Sequence, residues 1–174
     1  ARADGEDPIA DWKTHNADLA ERSKYLNDLG IEELIYHSSN GTDLRVGLIP
    51  DVDFLGGGET SLEGVYYNPN MPTEEVFTSP MRGKAEGTVV ATRPLSYQGQ
   101  LIENFSIRFE NGKAVEVHAE KNEELLRHMI AMDEGAAYLG EIRPFRTPVL
   151  SFTTHCLMKM PAATLLSAWD LLTA

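Results

Sequence analysis

The sequence predicts an α+β fold in which antiparallel β-hairpins pack against a few helices. Three observations carry that reading. Asn111-Gly112 stands between two runs of alternating apolar and polar residues, the pattern of a hairpin closed by a two-residue turn. Ser38-Ser39-Asn40-Gly41 separates two shorter β-rich runs in the same way. Asp7-Pro8 opens a stretch of helical spacing that ends at Gly30, with an acidic N-cap, a proline in the first turn and a glycine past the last.

In the first helix Ile9, Trp12, Leu19 and Leu26 share an apolar stripe, and Lys13, Arg22 and Lys24 interleave with Asp18 and Glu21 on a solvated outer face. His15 has polar neighbours and is expected at the surface rather than as a ligand. Glu32 to Tyr36 and Leu44 to Leu48 are the arms of the first hairpin. Gly56-Gly57-Gly58 follows Asp51, Asp53 and Leu55. It lacks the Lys and Ser/Thr of a phosphate-binding P-loop, so it reads as a flexible loop. Tyr66, Tyr67 and Asn68 then lead into an acidic stretch.

Gly87 to Thr92 is a strand that Pro94 ends. Leu101 to Glu110 and Lys113 to Ala119 flank the Asn-Gly turn. On the first arm Ile102, Asn104, Ser106 and Arg108 alternate with Phe105, Ile107 and Phe109. On the second, Ala114, Glu116 and His118 alternate with Val115 and Val117, so one face is wet and the other packed. His118 falls on the wet face and is not counted as a ligand. Asn122 caps a helix carrying Leu125, Leu126, Met129 and Ile130, with Met129 and Met132 as core residues. Asp133 caps a second short helix through Tyr138 and Leu139, and Gly140 ends it. No internal repeat or low-complexity segment interrupts the chain.

The 174 residues suffice for one domain with a real core. A formal charge of −12 argues against nucleic acid as a partner. A single cysteine, Cys156, excludes an internal disulfide framework and suits a reducing, cytoplasmic compartment. No apolar run approaches the ~18 residues of a membrane span, and no signal peptide is evident. The chain begins Ala1-Arg2-Ala3 rather than with Met, as expected of a piece cut from a longer protein.

The candidate chemistry lies in two acidic clusters. In Asn70-Met71-Pro72-Thr73-Glu74-Glu75-Val76-Phe77-Thr78, extended backbone sends Glu74 and Glu75 to opposite faces, so one of them can enter a shared site. Asp133-Glu134-Gly135 and Gly140-Glu141 form the second cluster. Spacing alone leaves two readings open: separated glutamates that converge on divalent metal, or solvated surface charge and helix caps.

The ordered segments Gly41-Thr42-Asp43-Leu44, Val46-Gly47-Leu48, Gly56-Gly57-Gly58 and Asn70 to Thr78 resemble the metal-dependent aminopeptidases of the thermophilic aminopeptidase T, S and II type. Glu86 to Thr92, Pro94 to Gly99, Leu101 to Phe105, Ala119-Glu120-Lys121, Asp133 to Ala136 and Leu139-Gly140-Glu141 continue the likeness over residues 7 to 141. The resemblance implies a site for two divalent metal ions (Zn, Co or Mg) made by two glutamates, two histidines and an aspartate, with a tyrosine near the reacting bond. It carries the ligand glutamates over to Glu75 and Glu141, with Glu74 facing away. It also implies peptide substrates with a free N-terminus, release of the first residue, and a homodimer in the complete protein. A general acid/base glutamate cannot be assigned from this sequence. The alternative is a non-catalytic interaction or structural module derived from such an enzyme.

Residues 1–141 are therefore expected to be part of a metalloaminopeptidase fold, without the family's first domain. After Glu141 the likeness stops, and the histidine-bearing Asp-Glu-Asn-Ala-Ser-Cys-His of the family is missing. Leu157-Met158-Lys159-Met160-Pro161-Ala162-Ala163-Thr164 stands in its place. Met is encoded only by ATG and Lys by AA plus a purine. Moving the frame back one base gives NAT, GAA, AAT or GAT, then GCC, which permits Asp-Glu-Asn-Ala. Pro-Ala-Ala-Thr then permits Ser, Cys and His in order, and Trp169-Asp170 forces a glycine codon. Residues 142–174 are accordingly read as an out-of-frame, non-native tail in which His155, Cys156 and Trp169 have no role.

Overall fold

The computed structural model describes residues 5–144 and 156–159. It confirms an α+β architecture of antiparallel strands with two helices. The order is α1 (Pro8–Asp28), β1 (Glu33–His37), β2 (Asp43–Leu48), β3 (Leu55–Gly56), β4 (Glu59–Thr60), β5 (Tyr66–Tyr67), β6 (Val76–Phe77), β7 (Pro80–Val90), β8 (Leu95–Tyr97), β9 (Gln100–Glu110), β10 (Lys113–Lys121), α2 (Glu123–Ile130), β11 (Glu141–Pro144) and β12 (Cys156–Lys159). The main sheet runs β1-β2-β7-β9-β10, with β8 added against β9. Residues 49–79, between β2 and β7, leave this sheet and form the small pairs β3-β6 and β4-β5.

Two apolar cores result. Tyr36, Leu44, Val46, Ile107, Phe109 and Val117 fill the larger one under the sheet, closed by Leu126 of α2 and by Ile142. Leu19 of α1 meets Leu48, Phe54 and Val76 in the smaller one. Asp7 caps α1 through its Oδ1, which accepts from the N–H groups of Ile9 and Ala10. Gly30, at φ +59°, takes the left-handed turn beyond the helix. Asn27 fixes the far end of α1, accepting from the Phe54 N–H at 2.7 Å and donating to its carbonyl at 3.2 Å.

The Asn111-Gly112 turn has φ of 50° and 78°, as a two-residue primed hairpin turn requires. Strict alternation on its arms fails at two places. A bulge between Ala114 and Glu116 resets the register, so Ala114 is buried while Val115 is 44% exposed. Asn104 adopts φ 48° within β9, and Ile102 and Phe105 on either side both point into the core.

Five local expectations are corrected. The strand expected from Gly87 starts already at Pro80. Asn122 sits in the left-handed region and donates to the Leu101 carbonyl instead of capping α2. Asp133 accepts from Gly135 and Ala136 N–H groups in a turn, and no helix follows. The backbone there bonds sideways to the sheet edge: Ala114 N–H donates to Ala137 O, and Lys113 bridges to Tyr138. Met132 is exposed, while Met129 packs on the larger core. Ile9, expected on the inner stripe of α1, is exposed as well. Among the described residues no helix is long and apolar enough to cross a membrane.

Most of the tail from 142 to 174 lies outside the described residues, including His155 and Trp169. Of the described part, β12 pairs antiparallel with β11, with Glu141 opposite Lys159.

The bulge makes a stability prediction that the sequence pattern alone would invert. Val115→Thr should change urea-unfolding stability by about 0.5 kcal/mol or less, because Val115 faces solvent. Val117→Thr, placing a hydroxyl at a fully buried position, should cost about 1–3 kcal/mol. Equal costs at the two sites would show that the bulge is absent.

Candidate metal centre

Glu75 stands just before β6 on the return of the 49–79 excursion, and its side chain is directed by its neighbours. Val76 and Thr78 are buried on one side of the segment, at 4% and 3% exposure. Alternation therefore turns Glu75 and Phe77 the other way. Glu75 is only 8% exposed, whereas the Glu74 side chain is 52% exposed. The two adjacent carboxylates thus part as extended backbone dictates.

Thr78 forms an antiparallel bridge with Ile142, the two exchanging N–H···O bonds of 2.9 Å each. Glu141 immediately precedes Ile142 and is half-buried at the start of β11. Glu75 is three residues before one member of the bridge and Glu141 one residue before the other. Both offsets are odd, so both carboxylates take the face opposite the core-facing Thr78 and Ile142. The structure thereby brings two distant acidic clusters onto adjoining strands. Asp133 and Glu134 stay exposed in their turn and do not join them. His118 is exposed, as expected, beside Glu116 and Glu123.

The glycine triplet is not a flexible loop. Gly56 pairs with Val76, and a Cβ on it would lie 2.7 Å from the Glu75 carbonyl oxygen. A Cβ on Gly57 would touch Asn16 and Leu19 of α1, and one on Gly58 would fall 2.1 Å from the Tyr66 hydroxyl. The three glycines are the close-packed joint between α1, the Glu75 segment and Tyr66.

His15 overturns the surface expectation. It is 1% exposed, and its Nε2 lies 2.7 Å from the Thr73 carbonyl oxygen. Asn16 beside it donates to Tyr66 Oη and Asn68 Oδ1. The signal was present in the spacing: Trp12, His15, Asn16, Leu19 and Ser23 fall at helical intervals and all are buried. Polar residue types concealed an inward face whose polar side chains make hydrogen bonds, with Asn16 Oδ1 left unpaired among the described residues.

Two carboxylates supply hard oxygen donors suited to a divalent cation. Among the described residues, however, no group of three or more His, Cys, Asp or Glu gathers to hold one. The described residues do not complete a two-metal site.

Gly56→Ala should lower urea-unfolding stability by roughly 1–3 kcal/mol, since the new methyl meets backbone. An unchanged midpoint would show that the joint can open without cost.

The model of the thermophilic metalloprotease (M29) family matches residues 1–150. Aminopeptidase T of Thermus thermophilus is 50% identical over 141 residues, covering 81% of this chain and 34% of that protein. Aminopeptidase 2 of Geobacillus stearothermophilus is 42% identical over 150 residues, covering 85% of this chain and 36% of that protein. The solved structure of wild-type AmpT from Thermus thermophilus superposes with a TM-score of 0.74 at 48% identity, over 79% of this chain and 34% of that one. The chain thus spans about a third of the length of the curated relatives it matches. A match over most of the chain, in both sequence and fold, leaves one conclusion: the chain belongs to the thermophilic metalloprotease (M29) family.

Proposed function

We propose that the protein represented by this chain is a metal-dependent aminopeptidase that releases N-terminal residues from peptides. Glu75 and Glu141 are two ligands of its two-metal site. The observation that carries the reading is their placement on one face of the bridged strands, within a family whose named relatives are aminopeptidases. In this reading the substrate is a peptide with a free N-terminus, the complete protein is a cytoplasmic homodimer, and the bound ions polarise the scissile carbonyl. This chain's own contribution is to carry the two carboxylates on one face of the bridged strands and to bury Glu75.

The chain as written is inactive in this proposal. Two carboxylates bind divalent metal weakly and cannot fix a pair of ions. One of the expected histidine ligands belongs to the frame displaced by one base. Besides the Asp-Glu-Asn-Ala-Ser-Cys-His reading, the same shift turns Phe152-Thr153, encoded TTY ACN, into YAC, which is tyrosine or histidine. His155-Cys156, encoded CAY TGY, becomes YTG, which is leucine in either case. The displaced frame thus offers a tyrosine or histidine across Phe152-Thr153 and a histidine across Ala163-Thr164, where the written one has none. Ile142 lies before these signals and is fully buried in the larger core.

The alternative is a non-catalytic interaction or structural module of the same descent. Metal content separates the two: about two divalent ions per complete chain for the enzyme, none for the module.

The purified chain should release nothing from an unblocked aminoacyl-amide reporter, with or without added Zn, Co or Mg. In the complete protein, a one-base correction between the codons for Glu141 and Phe152 should give both activity and two bound ions. In the corrected protein, Glu75→Gln or Glu141→Gln should lower kcat/KM by at least about a hundredfold, because loss of a metal-supporting partner alone costs 10- to 100-fold. Activity of the uncorrected chain with metal would sink the proposal of inactivity. Full activity of both glutamine variants would sink the ligand assignment.

A further inference from the structure

We propose that His15 is a positioning residue, which holds Glu75 inward by anchoring Thr73 to helix α1. The inference rests on the reading of Glu75 as a metal ligand and adds what orients it. Thr73 O can only accept, so His15 Nε2 carries the proton and donates to it across 2.7 Å. Trp12 packs edge-on against the imidazole, with ring centroids 5.2 Å apart at 83°, and so fixes the plane in which that N–H points.

The same Nε2 lies 3.5 Å from Glu74 Oε1. One nitrogen of α1 therefore faces both the carbonyl of residue 73 and the carboxylate of residue 74. Thr73 is 6% exposed and is held a second time, since its Oγ1 accepts from the Glu75 N–H at 3.3 Å. With Thr73 held at both its carbonyl and its hydroxyl, and Glu74 drawn towards the helix, the next side chain in extended backbone has one direction left. The Gly56 contact fixes where the Glu75 backbone lies, but the His15 bond fixes which way its carboxylate faces.

The test is carbodiimide-driven coupling of a small amine to carboxylates, mapped by peptide mass spectrometry on the full chain without metal. Exposed Glu110 serves as the internal reference, and the circular dichroism melting curve reports global folding. In the unsubstituted chain Glu74 should couple readily and Glu75 poorly. His15→Leu, which keeps apolar bulk and removes the donor, should raise Glu75 coupling roughly tenfold relative to Glu110, as expected when a buried acceptor loses its partner and the segment opens locally. His15→Gln can place an amide N–H where Nε2–H was, and should stay within about twofold of the unsubstituted chain.

Unchanged Glu75 coupling in His15→Leu would overturn the proposal. So would equal coupling in the Leu and Gln variants, which would make His15 a packing residue only. If His15→Leu does not fold, the Gln variant decides: protection of Glu75 supports the proposal and reactivity overturns it. Because coupling is read without metal, its failure leaves the ligand reading intact. Conversely, a frame-corrected Glu75→Gln protein that still binds two ions would remove the ligand role and leave the positioning in place.

Discussion

The antiparallel bridge between Thr78 and Ile142 is the contact on which the site depends. It closes the excursion of residues 49–79 onto the strand that follows the last turn, and so joins two acidic clusters far apart in sequence. Its two backbone hydrogen bonds contribute about 0.5–1.5 kcal/mol each. Burying the Ile142 side chain completely contributes about 1.5–3 kcal/mol. The apolar side chain is therefore as strong an anchor as the pair of bonds, while the bonds set the register. A slip of one residue would leave Ile142 facing out and Glu141 facing the core.

The two cores divide the labour between stability and placement. The larger one lies under the main sheet and is built of apolar side chains and the Tyr36 ring. The smaller one, around Leu19, Leu48, Phe54 and Val76, clamps α1 to the segment that presents Glu75. The glycine joint exists because the Glu75 backbone and the Tyr66 side chain approach Gly56 and Gly58 closer than a Cβ allows. Burial of a carboxylate at 8% exposure costs free energy that only hydrogen bonding or pairing offsets.

Where local chemistry decides, the sequence is a good guide. Asn111-Gly112 dictates its turn because positive φ at both positions suits few other pairs. Asp7-Pro8 and Gly30 mark the ends of α1 for equally local reasons. Non-local contacts were not legible. Nothing in the one-dimensional pattern announces a bulge at Val115, because it arises from pairing with β9. His15 and Asn16 read as surface residues because their partners, Thr73, Tyr66 and Asn68, lie more than forty residues away. The glycine triplet looked mobile because its partners, Asn16, Leu19, Tyr66 and Glu75, meet it only in the folded chain. Asp133 looked like a helix cap, but the following backbone found its bonds on the edge of β10. The separation of Glu74 from Glu75 was legible, since it needs only the two-residue period of extended chain.

Orientation of Glu75 and completion of a metal site are separate problems in this molecule. The residues that aim the carboxylate are a helix, a glycine joint and a backbone bridge, none of which needs a cation to form. None of these contacts is a metal–ligand bond, unlike the contacts of small metal-nucleated domains in which binding energy is folding energy. Sequence identity follows the cores, turns and joints, since these occupy most of the chain. It holds at 50% over 141 residues while the described residues supply only two ligand candidates. Family membership thus attests to the scaffold, and catalytic capacity depends on a few side chains that the scaffold does not need in order to fold.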